Sequence, residues 1–137
     1  MIKKIIKSKN GEGYVDMCVG VVVFVMILVI TINIFSFITL RIEMDQIADE
    51  LLETATYNGC FGTEFDLRNN ELKEQYYNYS VRTGADSYFN STYRRVQLGH
   101  TMSVTVSVDT DIRGLGVFRI PVTLSVTRSG LSQKYWK

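Results

Sequence analysis

Cysteine, proline, histidine and tryptophan are all scarce: the 137 residues hold two Cys, one Pro, one His and one Trp. Two cysteines make no disulfide framework, and Cys18 and Cys60 fall at the inner end of a hydrophobic run and beyond it, so no intrachain bridge is expected. Cys60 is left as a buried free thiol or as one half of a bridge between chains. His100 has no cysteine or histidine close enough in sequence to make a zinc pattern. Asp109 and Asp111 lack the further oxygen ligands of a calcium loop and read as turn residues. Phosphate loop, nucleophile elbow and metalloprotease helix are absent from the sequence, so no catalytic residue, metal or cofactor is expected. Charge of one sign is lacking too. With 15 basic and 14 acidic residues the formal charge is +1, which gives no electrostatic case for nucleic acid.

What is present in quantity is one uncharged stretch of 24 residues, Met17 to Leu40. As a helix it spans about 36 Å, enough for a hydrocarbon core of roughly 30 Å with some tilt. The chain is too short to build a soluble core around a helix apolar on every side. Thr31, Asn33, Ser36 and Thr39 make its second half slightly polar, either for packing against neighbours in the bilayer or for bonds to their own backbone. Lys3, Lys4, Lys7 and Lys9 precede it, and Arg41 is soon outweighed by Glu43, Asp45, Asp49, Glu50 and Glu53. The positive-inside bias predicts a cytoplasmic N-terminus and a single-pass membrane protein with its C-terminal domain outside. Thr39-Leu40-Arg41-Ile42-Glu43 offers no small-x-small cleavage site, so the hydrophobic helix is expected to be retained.

The helix is expected to continue past the span. Leu40, Met44, Ile47, Leu51 and Ala55 share one face and Glu43, Gln46, Glu50 and Glu53 another. Two targets suit that apolar face: the external domain, or equivalent helices of neighbouring subunits, in which case Met44, Ile47 and Leu51 are assembly residues. Gly59 to Gly62 then stop the helix. A shorter helix is predicted from about Asn69 to Tyr79, capped by Asp66 or Asn69, with Leu72, Tyr76 and Tyr79 on one face. Tyr88, Phe89 and Tyr93 add to an aromatic middle that either packs a sparse core or forms a docking surface. Gly84, Asp86 and Asn90-Ser91 read as turns.

After Arg94 the period becomes two. Met102, Val104, Val106 and Val108 alternate with polar residues, as do Phe118, Ile120, Val122, Leu124 and Val126. A long antiparallel hairpin is predicted, with a further strand near Arg95 to Leu98 and with Pro121 marking an edge or a bulge. The fold class is α+β: a long N-terminal transmembrane helix, a short helix, and an antiparallel sheet of three or four strands. The divisions are a basic leader at 1–11, a helix at 12–58 and a small external domain at 59–137.

The junction before the span carries the most specific pattern. Gly11 is followed by Glu12-Gly13-Tyr14-Val15-Asp16 and then by the apolar helix. This resembles the processing site of type IV pilin-like proteins, where a short basic leader is cut after glycine and an acidic residue stands fifth in the mature chain. Counting from Glu12, Asp16 is that residue, with aspartate where glutamate is usual. The chain also resembles the family called domain of unknown function 4320 (DUF4320), itself similar to the TadE-type pseudopilins: in Gly11 to Asp16, in Phe118 with Ile120-Pro121-Val122-Thr123-Leu124, and in Tyr135-Trp136-Lys137. The resemblance implies a membrane-anchored component of a secretion, pilus or conjugation machine. Its implied partners are a prepilin-type peptidase acting at Gly11 and Glu12 and other pilin-like, conjugation or secretion subunits, copies of the same chain among them.

Three readings follow. One is a processed pilin-like subunit assembling through its N-terminal helix. Another is an uncleaved single-pass scaffold of a conjugation or secretion channel. An envelope enzyme or ligand-binding module is the third, and it lacks a motif.

Overall fold

The computed structural model describes residues 12–76, 78–114 and 118–137. Helix α1 (Glu12–Asn58) leads, followed by α2 (Thr63–Gln75), β1 (Ser80–Ala85), β2 (Thr101–Gly114) and β3 (Phe118–Leu131). The three strands form one sheet in the order β1-β2-β3, and the α+β layout is the one predicted. The chain divides into two compact units. One joins α1 up to Phe37 with the hairpin end Ile112–Ile120, and the other comprises Ile38–Asp111 and Pro121–Lys137.

In the second unit the spacing of α1 does what amphipathic spacing allows. Met44, Ile47, Ala48, Leu51 and Ala55 are buried, while Gln46, Asp49 and Glu53 face water. The inward face of the sheet supplies Met102, Val104, Val106, Leu124 and Val126, and α2 adds Phe65 and Leu72. Gly130 of β3 faces α1 closely: a Cβ there would lie 3.3 Å from Thr56 and 3.4 Å from Leu52. Arg128 reaches Asp45 at 3.0 Å and Asp49 at 3.2 Å. These contacts advance together along both elements, so β3 runs parallel to α1 in this unit.

Gly59 ends α1 with φ +63, a left-handed conformation that glycine adopts without a Cβ penalty. α2 then starts earlier than expected, at Thr63, and stops at Gln75. Its cap is neither Asp66 nor Asn69 but Gly62, which has no side chain to cap with; the Gly62 carbonyl accepts the first intrahelical bond, from the Asp66 N–H at 3.0 Å. The early start goes with Phe65, to which the sequence reading assigns no element: it is seven residues before Leu72 on the same helical face and meets Phe61 edge-on at 5.4 Å. Tyr79 lies outside the helix yet is buried, its hydroxyl donating back to the Asn69 carbonyl at 3.2 Å.

The third strand is also displaced from its predicted place. It is Ser80–Ala85, paired antiparallel with β2 so that Val81 opposes Val106 and Thr83 opposes Val104. Gly84 therefore belongs to a strand, not a turn. Near Arg95 there are only isolated bridges, to Cys60 and Asn90. Arg94 (φ 48) and Gly99 (φ 81) bend the backbone on either side, which leaves no run long enough for a ladder. β3 is an outer strand of the sheet, and an edge is where Pro121 is tolerated.

Candidate functional site

Of the residues singled out at the N-terminal junction, Gly11 lies outside the described residues. Glu12 is the first residue of α1. Asp16 is an exposed residue early in the same helix, where a carboxylate interacts favourably with the positive end of the helix dipole. After it the apolar stretch is open on nearly every side: Phe24 is 61%, Ile32 64% and Phe35 66% exposed. The polar groups of this stretch turn to their own backbone. Thr31 and Asn33 donate to the carbonyls of Ile27 and Val29, each at 2.8 Å, and Ser36 to that of Ile32 at 3.1 Å. Such bonds satisfy the polar side-chain atoms within the helix itself. α1 is long and apolar enough to cross a membrane, as a single-pass anchor requires.

Met44, Ile47 and Leu51 are placed differently. Each is at most 1% exposed within the chain itself, so their apolar face packs on the domain, the first of the two targets that the spacing allowed. The aromatic middle divides as well: Tyr79 is buried, whereas Tyr88, Phe89 and Tyr93 remain on the surface. Asn90 holds the turn between them, its side-chain oxygen accepting from the N–H groups of Thr92 and Tyr93 at 3.0 and 3.2 Å.

Sequence reasoning missed a clamp that closes the domain with its last residues. Gln97 grips the backbone of Trp136 at two points, accepting from its N–H at 2.6 Å and donating to its carbonyl at 2.9 Å. The Trp136 indole N–H donates to the Gly59 carbonyl at 3.1 Å, and that carbonyl also accepts from the Val96 N–H at 2.8 Å. The guanidinium of Arg95 stands 4.4 Å from the Trp136 ring and 5.0 Å from that of Tyr93, cation–π distances that add to the hydrogen bonds. Beside this clamp is a recess of about 310 Å³ lined by residues that include Cys60, Glu64, Phe65 and Trp136. Cys60 and Cys18 are both free thiols, the first half-buried and the second exposed. Among the described residues no three His, Cys, Asp or Glu side chains gather as metal ligands would. The only signals for the clamp in the sequence were the lone tryptophan and its place in Tyr135-Trp136-Lys137.

The architecture is that of a single apolar helix running directly into a small α+β domain. The chain belongs to the DUF4320 family, described as a domain of unknown function, whose match spans residues 21–137. The late strand and the Tyr135-Trp136-Lys137 ending fall inside the match, whereas Gly11 to Asp16 precede it. No curated protein matches the chain. No solved structure matches it either.

Proposed function

We propose that this chain is a membrane-anchored, pilin-like structural subunit of a secretion, pilus or conjugation machine, held by α1 with its N-terminus in the cytoplasm and its domain outside. One observation carries the reading: α1 is a continuous helix of 47 residues that is apolar and uncovered in its first half and built into a domain in its second. In an assembly of such chains the uncovered half packs against its counterparts and lipid, while the domain, which has used Met44, Ile47 and Leu51 for its own core, stays outside.

Processing completes the proposal. A prepilin-type peptidase cuts between Gly11 and Glu12, which removes four lysines and takes the formal charge from +1 to −3. The new α-amino group, of ordinary pKa about 7.7–8.0, is largely protonated at neutral pH. Asp16 pairs with that amino group on a neighbouring chain, because a carboxylate at the membrane edge is costly alone and an opposite charge offsets part of the cost.

Intact-mass analysis of protein from its native host, beside a Gly11→Ala variant, tests this. The expected mass is that of a chain beginning at Glu12, with the variant left uncut. A native chain still beginning at Met1 while the peptidase is present overturns the processed reading in favour of an uncleaved single-pass scaffold. Cleavage with normal assembly of Asp16→Ala overturns the pairing role alone.

A further inference from the structure

Two arginines of the domain are each held by two carboxylates: Arg68 by Glu50 and Glu71, Arg128 by Asp45 and Asp49. Arg94, Arg95 and Lys134 have no carboxylate partner among the described residues, although Glu64 lines the same recess as Lys134. Their neighbours are aromatic instead. Arg95 is within cation–π distance of Tyr93 and Trp136, and Lys134 stands 5.8 Å from the Trp136 ring. Tyr93 is 63% exposed, and Arg94 and Lys134 are exposed beside it. From Ser87 to Val108 and from Ile112 to Lys137 the sequence holds no acidic residue, so nothing adjoining these cations along the chain offsets them. Unpaired arginine beside accessible tyrosine and tryptophan is the composition by which proteins hold other proteins.

The opposite chemistry lies on α2. That helix turns Phe65 and Leu72 inward, so at about 3.6 residues per turn Thr63, Leu67, Asn70 and Glu74 form its outward stripe, flanked by Asp66 and Glu71. All six are exposed, Leu67 at 58%. Asp66 and Glu74 have no cationic partner among the described residues. The stripe and the aromatic patch also sit at different levels of the domain. The patch closes on the end of α1, where Arg95 bridges Cys60 and the Trp136 indole reaches Gly59. α2 folds back along α1, so that Arg68, next to Leu67, meets Glu50. At about 1.5 Å per helical residue, Glu50 lies about 13 Å short of Gly59.

We infer that the patch of Tyr93, Arg94, Arg95 and Lys134 docks on the outward α2 stripe of a second copy of this chain, Tyr93 against Leu67 and the cations against Asp66 and Glu74. One chain carries both halves of the match, an apolar residue among carboxylates and an aromatic ring among cations. The contact is head-to-tail, each surface meeting a different one, so it repeats from copy to copy. Between copies whose α1 helices stand parallel it sets a stagger of about 13 Å, which winds the assembly into a helix and not a flat ring. The inference rests on the proposed assembly of copies through α1 and adds how their domains meet. Because exposed charges make the contact, salt weakens it.

Cross-linking of the full chain in membranes of its native host tests this. In a Cys18→Ala, Cys60→Ala background, copies with Leu67→Cys are expressed together with differently tagged copies with Tyr93→Cys, and a short bismaleimide is added. A mixed dimer is expected, whereas either variant alone is expected to stay monomeric. Asp66→Lys with Glu74→Lys on the first copy is expected to lower the yield several-fold, and adding Arg94→Glu with Lys134→Glu on the second to restore it. The single Trp136 reports through its emission that each variant is folded. Ile27→Cys, oxidised to a disulfide between copies, reads helix packing separately. Its dimer without the mixed dimer overturns the docking and leaves the assembly standing, and loss of both overturns the assembly as well. A dimer of Tyr93→Cys copies alone, a product with a different protein, or a yield indifferent to the charge reversals overturns the docking too.

Discussion

From Met17 to Leu40 α1 turns apolar side chains outward on almost every side, whereas from Met44 to Ala55 it buries one face and presents Gln46, Asp49 and Glu53 to water on another. One backbone, hydrogen-bonded continuously, thus serves two surroundings. A stretch with no polar face needs a solvent that is itself apolar, and one with a polar face needs only a partner for the other. The difference explains why Met44, Ile47 and Leu51 belong to the domain, although their spacing equally suits packing between subunits.

The contrast is sharpest for deletions of side-chain volume. Leu51→Ala removes a fully buried side chain and is expected to destabilise the domain by about 2–5 kcal/mol. Ile27→Ala, at an exposed position, is expected to leave the unfolding midpoint of the domain in detergent unchanged. Denaturant titration of both variants measures the gap, and equal losses would mean that the two halves unfold as one.

Glycines give the next largest difference. Gly59 has φ +63, and a Cβ there would run into Lys134 and come within 3.0 Å of the Trp136 indole nitrogen, so Gly59→Ala is expected to cost at least about 1–3 kcal/mol. Gly20 has nothing within 4 Å, and Gly20→Ala is expected to leave the thermal midpoint of the domain in place or raise it slightly. A melt in which the two substitutions behave alike would remove the clamp from the account of stability.

Arg128→Ala is a smaller test, confined to the lower half of α1. The guanidinium bridges Asp45 and Asp49 but is 44% exposed, and exposed ion pairs contribute about 0.2–1 kcal/mol. A loss within that range that shrinks in high salt is expected from urea titrations at two ionic strengths.

At neutral pH the least visible effect is that of Tyr79, whose burial pushes its hydroxyl from 10.0 up to about 12. Because the folded pKa exceeds the unfolded one, the unfolded chain gives up this proton first. The contribution is whole below about pH 10 and is lost as the pH rises toward about 12. Urea midpoints across that window are expected to fall less steeply in Tyr79→Phe than in the parent, and parallel slopes would contradict the assignment.

The long helix and the hairpin were legible because each repeats one rule many times: an unbroken apolar run, then spacings of three and four, then alternation from Met102 to Val126. β1 was not legible, since Ser80–Ala85 has few apolar residues and owes its state to its register on β2. Where the sequence suggested a turn at Gly84, the glycine makes room on the sheet: a Cβ there would lie 2.8 Å from Ser103 Oγ. The clamp was invisible for another reason. Gln97 and Trp136 stand 39 residues apart and belong to no periodic pattern, so only the folded backbone brings them together. At the N-terminal junction the reverse holds: Gly11, Glu12 and Asp16 were read from a motif, Gly11 lies outside the described residues, and Asp16 is exposed.

The clamp at Trp136 also puts the fold on a timetable. Leu51 leaves the ribosome 85 residues before Trp136, an interval of about 4–17 s at about 5–20 residues per second. For the first 50 of those residues, up to Thr101, the apolar face of the lower α1 has neither β2 nor β3 to cover it. The core face is thus covered strand by strand and closed last by the tail, and a chain arrested before Thr101 holds a finished helix with that face lacking β2 and β3.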